Sequence, residues 1–267
     1  QLGRVADNQA RADALLADCR DVDLLLLPEM AFTGYAFADR TEILPYCEDP
    51  RAGPTSLWCR ATARRLGCHV VCGFPERTDD DRLHNAMLIA DPEGTIVHVY
   101  RKHFLYVTDE SWATEGPVFG RVELAGIGRC GLGICMDVNP YRFQAPAGDF
   151  EFASSLFDPP LAPGERGRTD RFAVDFVVLC NAWLRGPADL HLPEAEHTEH
   201  LLQYWAYRLR PALGKPALAV IANRVGEERG VKFAGASCVI DLKSRTVLGH
   251  LDGNREGLLV VDTIRDR

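Results

Sequence analysis

The sequence predicts an α/β protein built on mixed β-sheets. Three observations carry that expectation. Apolar runs of strand character alternate with amphipathic helical patterns, hairpin signals then interrupt the alternation, and "VDLLLLPEM" holds a short, wholly apolar run, as strands do where helices cover a sheet.

The elements follow in order. "VADNQARADALLADCR" starts with a capping Asp7 or Asn8 and carries Ala12, Leu15, Leu16 and Cys19 at helical spacing, so an amphipathic helix is expected. After the strand in "VDLLLLPEM" come a helix near Ser56 to Leu66, strands "CHVVCGF" and "HNAMLIA", the turn "DPEG" and the strand "TIVHVYRK". Two strands bracket "VELAGIGRCGLGIC". Gln144 to Thr169 bears proline and glycine and is longer than most connections in a compact domain, which marks a candidate functional loop. Strand "DFVVLCNAW", helix "HTEHLLQYWAYRLR", strand "ALAVIANRV", the hairpin "ASCVIDLKSRTVLG" and a last strand "GLLVVDT" complete the chain.

With 267 residues, 46% hydrophobic and 25% charged, the chain has room for one large core, and a single domain over 1–267 is expected. A net charge of −8 and a pI near 5.5 lack the clustered basic excess that nucleic acid or an anionic membrane surface requires, so neither is expected as a partner. No apolar run reaches membrane-spanning length, and no signal peptide precedes the first helix. The nine cysteines are odd in number and mostly in apolar surroundings, which reads as free thiols in a reducing, cytoplasmic compartment. "CHVVC" alternates like a buried strand and no second pair stands at ligand spacing, so neither a metal nor a cofactor is expected.

The chemistry concentrates in "GRCGLGICMDVNPYRF", Gly128 to Phe143. Cys130, Leu132 and Ile134 alternate with Arg129, Gly131 and Gly133, a period-2 strand whose small residues admit a close neighbouring layer. Asn139-Pro140 ends that run, which places Cys135 on a bend with unpaired backbone N–H groups beside it, as a nucleophile and its oxyanion require. Glu29 follows "LLLLP" and Lys102 follows "TIVHVYR" in the same way. Strand ends at one edge of an α/β sheet converge, so the three side chains are expected to share a pocket. Lysine is scarce here: Lys102, Lys215, Lys232 and Lys243 are the only ones among 30 basic residues, and a buried ammonium of tunable proton affinity is one role arginine cannot fill. No serine elbow "GxSxG" is present, and His197 and His200, on one helical face, read as packing or surface.

Together these stretches resemble the nitrilase, or carbon–nitrogen hydrolase, superfamily, whose Glu-Lys-Cys triad has this chain order. "LPEMAFTGY" is similar to its glutamate motif, "YRKHFL" to its lysine motif, "GLGICMD" to its cysteine motif, and "ANRVGEERGVKFAGASCVID" to its late strand and hairpin. The resemblance runs from Val5 to Val261. It implies a single-domain αββα sandwich of two mixed sheets covered by helices, and hydrolysis of a linear amide through a thioester. Cys135 would be the nucleophile and Glu29 the base, with Lys102 and the backbone N–H of Met136 holding the oxyanion. A second glutamate often fixes the triad; Glu110 fits by its neighbours and Glu115 competes. His103, next to Lys102 on a strand, is expected to point to the other face and to be structural.

"FLYVTDESWATEGPVFG" and "GICMDVNPYRFQAPAGDFEFASS" resemble, more narrowly, the fungal-type protein N-terminal amidases, which deamidate N-terminal Asn or Gln. The implied partner is a peptide or protein N-terminus, whose α-ammonium needs a carboxylate; Asp137, Asp109, Asp149 and Glu151 are candidates that the sequence does not separate. Two departures stand out. Arg142-Phe143 is displaced behind Asn139-Pro140-Tyr141, and the strand that superfamily chains carry ahead of the segment "QLGRVADN" is missing, so the core sheet is expected to lack an edge. The alternatives are a small-molecule amidase for a dicarboxylic acid monoamide, a nitrilase, and a catalytically idle binding protein of the same fold, against which the retained triad argues. Oligomeric state stays open, a homo-oligomer included.

Overall fold

The computed structural model describes residues 1–158 and 174–263. Helix α1 (Val5–Leu15) leads into strand β1 (Leu24–Leu26), a short helix α2 (Arg40–Ile43) and helix α3 (Pro54–Leu66). Strands β2 (His69–Arg77), β3 (Leu83–Ala90), β4 (Ile96–Arg101), β5 (Gly120–Leu124) and β6 (Gly128–Ile134) follow, then helix α4 (Glu151–Phe157) and strand β7 (Phe176–Asn181). Helix α5 (Glu194–Arg208), strand β8 (Leu218–Asn223), the ribbon of β9 (Glu227–Glu228) and β10 (Val231–Lys232), and strands β11 (Cys238–Asp241) and β12 (Thr246–His250) complete the order.

Two sheets form the centre. The first runs β1-β2-β3-β4, with β1 and β2 parallel and the other pairs antiparallel. The second runs β12-β11-β8-β7-β6-β5, with β6, β7 and β8 parallel and its remaining pairs antiparallel. Both are mixed, as expected. Because side chains alternate across a strand, Val71, Met87 and Ile89 face Leu132, Ile134, Val178 and Cys180 between the sheets. Val70, Cys72, Ala86 and Leu88 turn outward onto Leu16, Cys59 and Ala63 of the α1 and α3 layer. On the far side Val177, Leu179, Ala219 and Ile221 pack on Phe152, Leu156, Leu201 and Trp205 of α4 and α5. The layering is αββα, and each fully buried aliphatic or aromatic side chain contributes about 1.5–3 kcal/mol to it.

Local chemistry sets the element ends. Pro54 occupies the first turn of α3, the Glu48 carboxylate accepts from the Thr55 N–H and hydroxyl, and Gly67 closes the helix in the left-handed region at φ 66°. The glycines of β6 do what their spacing predicts. A Cβ at Gly131 would lie 2.7 Å from Leu156, and one at Gly133 2.7 Å from Phe152, so their absence lets α4 sit down on the strand.

Several expectations need correction. Asp7 and Asn8 lie inside α1, whose N-cap is Arg4; Asn8 is buried and donates to the carbonyls of Gln1 and Phe32. Leu15, expected in the apolar stripe, is exposed, while Leu16 and Cys19 are buried. The stretch read as one long loop from Gln144 contains α4, and residues 159–169 of it lie outside the described residues. "GLLVVDT" forms no strand; it runs beside a cavity of about 1210 Å³ that Leu16, Leu24, Leu26, Val220, Leu258 and Val260 help to line, along the outer strand β1. All nine cysteines are free. Among the described residues no helix is long and apolar enough to cross a membrane.

Candidate active site

Three strands of the two sheets end at one place. Pro28 leads out of β1 into Glu29, Lys102 directly follows β4, and Cys135 directly follows β6. Gly73 of β2 makes room for the first: a Cβ there would stand 2.6 Å from Glu29 Cα. Both turns carry a left-handed residue other than glycine, Met30 at φ 50° and Cys135 at φ 44°. Such positions cost about 1–3 kcal/mol and concentrate at functional sites. Cys135 begins a 3-10 turn, Cys135–Val138.

Lys102 is fully buried and is the hub. Its Nζ donates to Glu29 Oε1 at 2.7 Å and to Asp109 Oδ2 at 2.6 Å. An ammonium has three N–H groups, so one is left for a substrate oxygen. Asn85 Nδ2 bridges the two acids, at 2.6 Å to Glu29 Oε1 and 3.1 Å to Asp109 Oδ1. Glu29 Oε2 accepts from the Ala182 N–H at 2.6 Å, and the Cys135 thiol lies close enough to feel the charges of Glu29 and Lys102. The Cys135 N–H is engaged by Asn181 Oδ1 at 3.0 Å. The next amide, Met136 N–H, belongs to the first turn of the 3-10 helix, where amides lack a partner within the helix.

The electrostatics follow from burial. Burial raises the Glu29 pKa above its ordinary 4.5, against the pull of Lys102. Burial on its own would lower the Lys102 pKa, but Asp109 and Glu29 outweigh it and hold the ammonium charged well above its ordinary range. Burial, with the Glu29 charge beside it, keeps the Cys135 thiol protonated, Lys102 opposing. The resting site is therefore a thiol, a charged lysine and a carboxylate of raised basicity, the arrangement in which a proton passes from thiol to carboxylate as the sulfur attacks.

The structure brings Glu29, Lys102 and Cys135 together with Met136 next in the chain, while the acids around them differ from those expected. Glu110 does not reach the hub; it is exposed and pairs with Arg142 Nε at 3.0 Å. Its neighbour Asp109 takes the position on Lys102 and also accepts from the Tyr106 N–H. Asp109 is thus occupied, not open to a substrate ammonium. Asp137 is also consumed inside: it accepts from Tyr100 Oη and from the N–H groups of Ile134, His103 and Phe104, and burial raises its pKa to about 6. Glu151 accepts from the Tyr141 N–H and faces Arg208, and Asp149 is exposed. Glu115, the competitor of Glu110, accepts from Tyr141 Oη. His103 is structural as expected, bonded through Nδ1 to the Gly116 carbonyl and stacked on Phe104.

Asn85 and Asn181 were missed. Each left a signal, a lone amide in a mostly apolar strand, "HNAMLIA" and "FVVLCNAW", where an uncompensated polar group is costly. Tyr35 was missed too; it is buried beside Lys102, Glu29, Asp109 and Cys135, and burial holds its hydroxyl protonated.

Comparison with known proteins shows the family. The carbon-nitrogen hydrolase family model matches residues 6–140. The protein N-terminal amidase of Schizosaccharomyces pombe is 32% identical, over 97% of this chain and 95% of its own. The 2-oxoglutaramate amidase of Bacillus subtilis is 34% identical, over 95% and 83%. A solved N-terminal amidase with an Asn-Glu-Ala peptide superposes with a TM-score of 0.77 at 22% identity, covering 96% of this chain and 93% of that one. The chain belongs to the carbon–nitrogen hydrolase family, with its αββα fold, and is a hydrolase of carbon–nitrogen bonds other than peptide bonds.

Proposed function

We propose that this protein deamidates N-terminal Asn or Gln of peptides or proteins by covalent catalysis at Cys135. The observation that carries the reading is the similarity to the Schizosaccharomyces pombe protein N-terminal amidase across nearly the whole of both chains, with Glu29, Lys102 and Cys135 gathered at one point. In the first half-reaction Glu29 takes the thiol proton as the sulfur adds to the carboxamide carbon. The free N–H of Lys102 and the Met136 N–H hold the oxyanion, donors worth on the order of 2.7–4 kcal/mol each. Glu29 returns the proton to the departing ammonia, which leaves a thioester. It then activates a water that hydrolyses the thioester to a carboxylate. Asp109 and Asn85 fix Lys102 and Glu29 relative to one another.

The similarity to the Bacillus subtilis 2-oxoglutaramate amidase favours a second reading, a small-molecule amidase. Ammonia release from an Asn-initiated peptide, its N-acetylated twin and a glutaramate-type amide separates the two. The free-amine peptide should react at least about tenfold faster than the acetylated one, equivalent to about 1.4 kcal/mol of transition-state binding. Equal rates on the two peptides, with faster turnover of the small amide, overturn the N-terminal reading.

A further inference from the structure

The motif "ANRVGEERGVKFAG" takes no part in the chemistry above, yet its charged pair grips the turn that carries the base. Arg224, just past β8, is buried; its Nη1 donates to the Met30 carbonyl at 2.7 Å and approaches the carbonyls of Glu29 and Ala31 at 3.4 and 3.5 Å. Its Nη2 donates to Glu228 Oε1 at 2.5 Å, and its guanidinium lies over the Phe233 ring at 5.1 Å. Glu228 Oε2 accepts from the N–H groups of Tyr35 and Ala36 at 2.8 and 3.0 Å. One ion pair thus holds the carbonyls at the start of the segment 29–36 and the amides at its end.

We propose that Arg224 and Glu228 are positioning residues for Glu29, holding its strained turn so that the carboxylate meets Lys102 and Cys135. The inference rests on the reading of Glu29 as the base. A turn with Met30 at φ 50° stays in place only where its surroundings over-determine it, and this clamp supplies the restraint. A buried ion pair is weak evidence for stability in itself, whereas partners at both ends of the base turn give this one a geometric task. The backbone around the clamp also runs next to Cys135: the Arg224 main-chain N–H donates to the Asn181 carbonyl at 3.1 Å, and Asn181 Oδ1 holds the Cys135 N–H. For Glu228, burial opposes the charge, but Arg224 and the two amides outweigh it and hold the carboxyl below its usual range.

Arg224→Lys, which keeps the charge but loses the fork, and Glu228→Gln test this beside Glu29→Gln as reference. For ammonia release from an Asn-initiated peptide, kcat should fall about 10- to 100-fold in each clamp variant with KM within about threefold, since misplacement of a reacting group costs rate more than binding. The acid limb of kcat should move to lower pH, because a loosened Glu29 gains water and loses the burial that raises its pKa. Alkylation of Cys135 by iodoacetamide should slow in parallel and carries the test if the peptide is not turned over. Unchanged kcat, acid limb and alkylation rate with only a lower Tm would make the pair purely structural and overturn the proposal. Full activity in Glu29→Gln would instead remove the base assignment on which it rests.

Discussion

At the floor of the site Lys102, Glu29 and Asp109 are all withdrawn from water and each is partnered, whereas at the rim Glu110 with Arg142 and Glu115 with Tyr141 pair in contact with solvent. Both regions hold carboxylates, and the energetics differ. An exposed ion pair contributes about 0–1 kcal/mol, while removing one partner from a buried one costs about 3–5 kcal/mol because a charge is left without compensation. The lesson is that burial against Lys102, not burial or charge alone, sets Glu29 and Asp109 apart, since buried Asp137 and Glu48 are spent on backbone N–H groups. The large cavity beside β1 teaches the complement: it has volume but none of the triad in its lining.

The largest expected effect comes from the floor. Cys135→Ala should reduce ammonia release to background while leaving the circular dichroism spectrum and Tm near wild type, since the change removes a nucleophile and little volume. Residual turnover close to wild type would place the chemistry elsewhere.

Glu29→Gln and Lys102→Met should each lower kcat by about 10²–10⁴-fold, the range for a general base or an oxyanion donor, and the double variant should lose little more than the worse single one. Additive losses would mean that the two act separately. The pH profile sharpens this. Glu29 must be ionised to accept the thiol proton and its pKa is raised, so kcat/KM should fall as pH drops through a value above 4.5, and that limb should be absent in Glu29→Gln.

The sharpest contrast between floor and rim is between sequence neighbours. Asp109→Asn should lower kcat about 100-fold, because Lys102 loses an anchor and the hub shifts. Glu110→Gln should stay within about threefold of wild type, since it breaks only an exposed pair with Arg142. Equal losses in steady-state kinetics would erase the distinction drawn here.

Much of this was legible in the sequence, for physical reasons. The sheets showed through period-2 and wholly apolar runs, and Glu29, Lys102 and Cys135 showed because each ends such a run. The choice between Asp109 and Glu110 was not legible, because the two sit on one 3-10 turn, where a single residue step rotates a side chain by about a third of a circle. Helix α4 was hidden in a stretch rich in turn residues, and the glycines of β6 that receive it reveal it only in hindsight. Asp137 and Asp109, candidates for a substrate amine from the sequence, are already engaged by the backbone and Lys102, which the sequence pattern does not show.

The central claim is that this buried cluster hydrolyses an amide through a thioester on Cys135. Rapid quenching of the wild-type protein with an Asn-initiated peptide, followed by digestion and mass spectrometry, tests it most directly. The account predicts a transient adduct on Cys135 whose mass is that of the peptide less ammonia, formed with release of free ammonia and absent in Cys135→Ala. Turnover with no adduct on any cysteine, or an adduct on one of the other eight, would contradict it.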